Sequence, residues 1–213
     1  MIANNKTALI VVDMQQGFYD ASWGPTTNYP ECENNVDRLL AEWSSRHMPI
    51  VVVRHDSRDP NSPLFVDGAG NDLHESVQAV RADLLVTKTV NSSFYGSPDL
   101  KSWLVSQQIK QIVVCGIQTN LCVETTARMG GNLGFDVIVP LDATRTFDLA
   151  GPDGTVIPAA ALMQVTATNL HGDGFARVVS TREVLESLKE DWNDSGYLAA
   201  SDGNHTNVQA DRN

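Results

Sequence analysis

Six apolar, β-branched runs recur along the chain, each separated from the next by a stretch with helical or loop character. They are TALIVVDM (7–14), PIVVVRHDS (49–57), DLLVTKTV (83–90), QIVVCG (111–116), FDVIVPLDA (135–143) and GFARVV (174–179, with Ser180 after it). A strand that is apolar on both faces must be covered on both, and helical connections return the chain to start the next strand in the same direction. Between the runs, NNVDRLLAEWSSRH (34–47) repeats Val36, Leu39, Leu40 and Trp43 at helical spacing. PAAALMQVTATNL (158–170) reads as a helix, and STREVLESLKE (180–190) opens on a capping box from Ser180 to Glu183. Ser97 and Pro98 read as the N-cap and first residue of another helix. The expectation is one α/β domain over residues 1–192, a Rossmann-like three-layer α/β/α sandwich. Its six-stranded parallel sheet has the order 3-2-1-4-5-6. Residues 56–82 form a long functional or interfacial loop, and 193–213 a polar tail or arm.

Composition narrows the partners. The 213 residues carry a net charge of −11, which disfavours nucleic acid and anionic membrane surfaces, both of which call for a basic face. The first residues lack the basic leader and long apolar core of a signal peptide, and no run is long enough to span a membrane. Three cysteines make no disulfide framework. A cytoplasmic protein with reduced thiols, acting on a small molecule, is expected.

In an open parallel sheet, ligands sit beyond the carboxyl ends of the strands, where the strand order reverses. On the order above that crevice lies between the first and fourth strands. Asp13 and Cys122 flank it, one ending TALIVVD and the other following QIVVCGIQTNL. A thiol at a helix start, with Thr119 as its cap, is expected to be acidified toward thiolate. Position by itself leaves nucleophile and small buried hydrophobe equally open for Cys122; Cys115, inside a strand, reads as the hydrophobe. Asp13 could serve as its base, or could cap a loop. Lys88 could stabilise the anion, but two strand spacings put it about 10 Å from the first strand. It is therefore expected to reach the crevice only if TVNSSFYG folds back. His55, between Arg54 and Asp56, has only His74 as a nearby partner for a metal, so no metal is expected. Phe18, Trp23, His55, Phe94 and Tyr95, with Ile117 at the strand end, are the candidate substrate contacts.

Three segments together resemble the signature blocks of the isochorismatase-like cysteine hydrolases: ALIVVDMQQGF, VTKTVNSSFYG and VVCGIQTNLCVETTARMGGNLGFDVIVPLDAT. The resemblance runs from about Thr7 to Ser180, and its most specific part is G-x-x-T-x-x-C-V-x-x-T-A. It implies an Asp–Lys–Cys triad at Asp13, Lys88 and Cys122. It also implies a cis Ile117–Gln118 peptide, an oxyanion hole of Gln118 and Cys122 backbone N–H groups, and a homodimer or homotetramer. A cysteine at this place implies amide or related C–N hydrolysis through a thioester. A vinyl-ether hydrolase of the same fold and a non-catalytic or redox-sensing protein are the alternatives. RHDSRDP departs from the Asp-x-His metal motif of nicotinamidases, so the resemblance implies no cofactor.

Overall fold

The computed structural model describes residues 6–189; the expected tail at 193–213 lies outside the described residues. The strands are β1 (Thr7–Val12), β2 (Thr26–Thr27), β3 (Ile50–His55), β4 (Leu84–Lys88), β5 (Gln111–Ile117), β6 (Asp136–Pro140), β7 (Thr144–Phe147), β8 (Leu149–Ala150), β9 (Val156–Ile157) and β10 (Arg177–Val179). The helices are α1 (Glu31–Ser45), α2 (Glu75–Gln78), α3 (Leu100–Ser106), α4 (Glu124–Asn132) and α5 (Ala159–Gly172). A further helix covers residues 181–189.

The main sheet runs β10-β6-β5-β1-β3-β4, with every neighbouring pair parallel. This is the expected order. It follows from the central strands: all residues of β1 and β5 are buried, so each must lie inside the sheet with a layer on either face. Leu9 and Val11 pack on one side against Val36, Leu39 and Trp43 of α1 and Val184 and Leu188 of the last helix. Ala8, Ile10 and Val12 face the other way, onto Leu100 and Leu104 of α3, Ala127 of α4 and Leu170 of α5. Each large apolar side chain buried this way contributes about 1.5–3 kcal/mol.

Several expectations change. The sheet has eight strands rather than six. β7 adds in parallel to the end of β5 through Gly116–Thr144 and Ile117–Arg145, and β2 pairs antiparallel with β7. The helix predicted from Ser97-Pro98 starts at Leu100 and is capped by Asp99, whose carboxylate accepts the Ser102 N–H at 2.6 Å. Ser97 instead exchanges backbone hydrogen bonds with Thr87. The capping box holds: the Ser180 N–H donates to the Glu183 carboxylate at 2.7 Å, and the Glu183 N–H returns to Ser180 Oγ at 3.3 Å. Asp142 accepts the Thr181 N–H and hydroxyl, which ties that last helix to the end of β6. Residues 56–82 are largely irregular, as expected, with short helical turns at Ala69–Asn71 and in α2.

Gly116 positions the end of β5. Its φ is +116°, and a Cβ there would lie 2.0 Å from the Val12 carbonyl oxygen. Only glycine lets β5 press this closely against β1, which brings the residues after Gly116 beside those after Val12.

Candidate active site

Asp13 leaves β1 with φ +52°, its N–H bonded to Val53 O of β3. That bend turns its carboxylate into the crevice between β1 and β5. Lys88 closes β4, in register with His55 of β3. Its ammonium donates to Asp13 Oδ2 at 2.7 Å, to His55 Nδ1 at 3.1 Å and to Cys122 Sγ at 3.4 Å. An ammonium has three N–H groups, and here each has an acceptor. Neither the Asp13 nor the Lys88 side chain is exposed. Lys88 reaches the crevice from within its own strand, by the length of its side chain. The fold-back of the next loop is therefore not what delivers it, although that loop does turn inward.

The loop brings a residue that sequence reasoning overlooked. Asn91 Oδ1 lies 3.8 Å from Cys122 Sγ, in position to accept the thiol proton weakly. Asn91, Tyr95 and Thr125 line a cavity of about 570 Å³. The Ser93 N–H and hydroxyl bond Thr126 Oγ1 at 3.1 and 3.0 Å, fastening the loop to α4. Asn91 stands inside the VTKTVNSSFYG block, but nothing about its type separates it there from an ordinary loop asparagine.

Cys122 sits in a π-helical turn, Thr119–Val123, that runs into α4. The Ile117–Gln118 peptide before it is cis, as the resemblance implies. The N–H groups of Leu121 and Val123 both donate to Gln118 O at 3.1 Å. Thr119 is not the cap predicted from sequence. Its hydroxyl donates to Thr144 Oγ1 at 2.9 Å, and Thr144 Oγ1 in turn donates to Leu141 O. The side chain therefore locks the turn to β7.

The thiol is not acidified. Burial, followed by the charge of Asp13, pushes Cys122 up to about 12, and Lys88 only partly opposes them. Cys32 and Cys115 are raised as well, chiefly by burial. His55 is lowered, first by burial and then by the Lys88 charge, so the ring is neutral near pH 7. The Asp13–Lys88 ion pair thus meets a neutral imidazole and a protonated thiol.

Asp13, His55 and Cys122 bring potential ligand atoms within 4.8 Å of one another, a spacing at which three donors could hold an ion. The ammonium of Lys88 already contacts all three, so the positive charge of the cluster is supplied by a side chain and the donor set does not fit a metal.

Gln15 and Asn71, also overlooked, hold His55 by its backbone. Gln15 accepts the His55 N–H at 2.8 Å and donates to His55 O at 3.0 Å; Asn71 Nδ2 donates to the same carbonyl at 2.9 Å. Arg54 is paired with Asp56 at 2.8 Å. Phe18 and Trp23 form an aromatic cluster with Phe147. Phe94 is buried against Phe135, Tyr95 is exposed, and Ile117 is buried at the end of β5. Next to Phe147, Arg145 pairs with Glu33 at 2.7 Å, both nearly fully buried, with the guanidinium over the Tyr19, Tyr29 and Phe147 rings.

Fold and site together define a Rossmann-like α/β protein with a cysteine-centred polar cluster at the switch point of its sheet. Residues 7–183 match the Isochorismatase domain, and the chain belongs to the isochorismatase family of hydrolases. It is 35% identical over 183 residues to the isochorismatase family protein YrdC of Bacillus subtilis (strain 168), covering 86% of this chain and 96% of that one. Nicotinamidase 3 of Arabidopsis thaliana is 29% identical, covering 85% of this chain and 88% of its own. Among solved structures, an isochorismatase-family protein from Chromobacterium violaceum ATCC 12472 superposes with a TM-score of 0.82 at 32% identity, over 89% of this chain and 96% of that one. Among the described residues no helix is long and apolar enough to cross a membrane.

Proposed function

We propose that this protein hydrolyses a small amide or related C–N bond through a thioester on Cys122, with Asp13 and Lys88 completing a triad. The observation that carries this reading is the division of labour on the Asp13 carboxylate. Oδ2 is held by Lys88 at 2.7 Å, while Oδ1 is buried and has no partner among the described residues. A buried carboxylate oxygen without a donor is costly and is poised to take a proton.

Asp13 Oδ1 takes the thiol proton as Sγ attacks the carbonyl carbon. The oxyanion is held by the backbone N–H groups of Gln118 and Cys122. Collapse of the tetrahedral intermediate breaks the C–N bond, and the departing amine carries off the proton from Asp13. Asp13 then removes a proton from water as the water attacks the thioester. The acid leaves, and the proton returns to Sγ. The Lys88 ammonium contacts both Asp13 and Sγ and so offsets the negative charge as it passes between them. The likeness to a nicotinamidase supports amide chemistry, and a vinyl-ether hydrolase makes no use of a sulfur nucleophile. The reading needs no cofactor, nucleic acid or membrane. We further propose a cytoplasmic homodimer or homotetramer acting on a small molecule, with Phe18, Trp23, His55, Phe94, Tyr95 and Ile117 as the candidate substrate contacts.

A panel of small primary and secondary amides, assayed for ammonia or amine release, tests it. Turnover by the native protein that is lost on alkylation and in Cys122→Ala supports the reading. Turnover that persists in Cys122→Ala rejects it.

A further inference from the structure

The third N–H of Lys88 points to a role that the triad leaves unassigned. We propose that His55 is a positioning residue: its unprotonated Nδ1 accepts a proton of the Lys88 ammonium and thereby holds that ammonium between Asp13 Oδ2 and Cys122 Sγ. This rests on the reading of Cys122 as nucleophile, but not on the identity of the substrate.

The geometry is specific. Lys88 arrives from a strand two places from β1, across the end of β3 where His55 stands in register with it. A lysine side chain of four methylenes has many rotamers, and two acceptors leave one N–H of a fully buried ammonium unpaired. An unpaired buried donor costs free energy, and it would draw the ammonium toward water or another acceptor. His55 Nδ1 at 3.1 Å fills that place. It can do so only as the Nε2–H tautomer, since a ring proton on Nδ1 would face the ammonium. The His55 backbone is clamped by Gln15 and Asn71, which fixes the point from which the ring reaches Lys88. The charged groups around the imidazole are Lys88 on β4, Asp13 after β1 and Asp56 after β3, with Arg54 turned onto Asp56. Burial opposes protonation of the ring, as does the Lys88 charge, which keeps Nδ1 available as an acceptor.

The test uses iodoacetamide alkylation of Cys122 at pH 8.5, read by mass mapping, so it needs no substrate and its failure is separate from failure of the amidase reading. A displaced ammonium stabilises the thiolate less, and each unit of thiol pKa is about tenfold in thiolate fraction. His55→Leu is expected to slow alkylation by about tenfold, and His55→Asn, which retains an acceptor oxygen, to recover most of that rate. In a Lys88→Met background His55→Leu loses its effect, giving a coupling of about fivefold or more between the two sites. Imidazole ¹⁵N spectra of the native protein, with His55 assigned by its loss in His55→Asn, read the tautomer directly even if a variant fails to fold. Nε2–H with a bare Nδ1 is expected near pH 7. An Nδ1–H tautomer, an unchanged rate in His55→Leu, or effects of His55 and Lys88 that multiply independently would each overturn the proposal.

Discussion

Lys88 ends β4 and Asp13 follows β1, two strands apart, yet their side chains meet at 2.7 Å with neither exposed to solvent. The strand between them ends at His55, whose ring also receives a bond from Lys88. A buried ion pair is a poor device for stability, because desolvation offsets most of its attraction. Its position over Cys122 gives it a different use, to hold opposite charges ready where a proton must leave a buried thiol.

Removing one partner of that pair strands the other. Lys88→Met leaves the Asp13 carboxylate uncompensated in the interior and is expected to lower unfolding free energy by about 3–5 kcal/mol. The double change Asp13→Leu with Lys88→Met should be less destabilised than Lys88→Met alone. Urea unfolding monitored by tryptophan fluorescence measures both. Additive losses in the double variant would show that the two side chains do not depend on each other.

Asp13→Asn keeps the shape of the site but not the base. Loss of a general base typically lowers turnover about 10²–10⁴-fold, and kcat should carry the loss while KM changes little. A kcat within tenfold of native on an active amide would remove Asp13 from this role.

Cys122 is 7% exposed, whereas Cys32 and Cys115 have no exposure, so Cys122 should be the first of the three to be alkylated in the folded protein. Its thiol is pushed up to about 12, so the thiolate fraction, and with it the alkylation rate of the substrate-free protein, should climb about tenfold per pH unit between pH 7 and 10. A plateau beginning near neutral pH would mean a resting thiolate, and prior labelling of Cys32 or Cys115 would displace the site.

Chelation should leave activity unchanged, because Lys88 rather than a metal contacts Asp13, His55 and Cys122. Prolonged dialysis against chelator, followed by assay with and without added zinc, checks this. Activity lost to the chelator and restored by zinc would contradict it.

Much of this arrangement is legible in the sequence, and the exceptions have physical causes. The strand order could be read because β1 and β5 are apolar at nearly every position, which only interior parallel strands require. β7 could not be read: Thr-Arg-Thr-Phe looks like loop, and its burial depends on Glu33, more than a hundred residues away, to pair with Arg145. The supposed distance of Lys88 came from counting strand spacings without the reach of the side chain. The acidified thiol came from a local rule about helix starts, whereas burial, a tertiary property, decides the sign at Cys122. Thr119 failed as a cap because the turn at Cys122 is π-helical and brings Thr144 within reach of its hydroxyl.

The central claim is a covalent bond between Cys122 and the acyl half of the substrate. Acid quenching during turnover of an active amide, followed by digestion and mass spectrometry, measures it directly. The peptide carrying Cys122 should gain the mass of the acyl group without the amine, and the adduct should be released by hydroxylamine. Rapid turnover by a Cys122→Ala variant, or an acyl group found only on another residue, would contradict it.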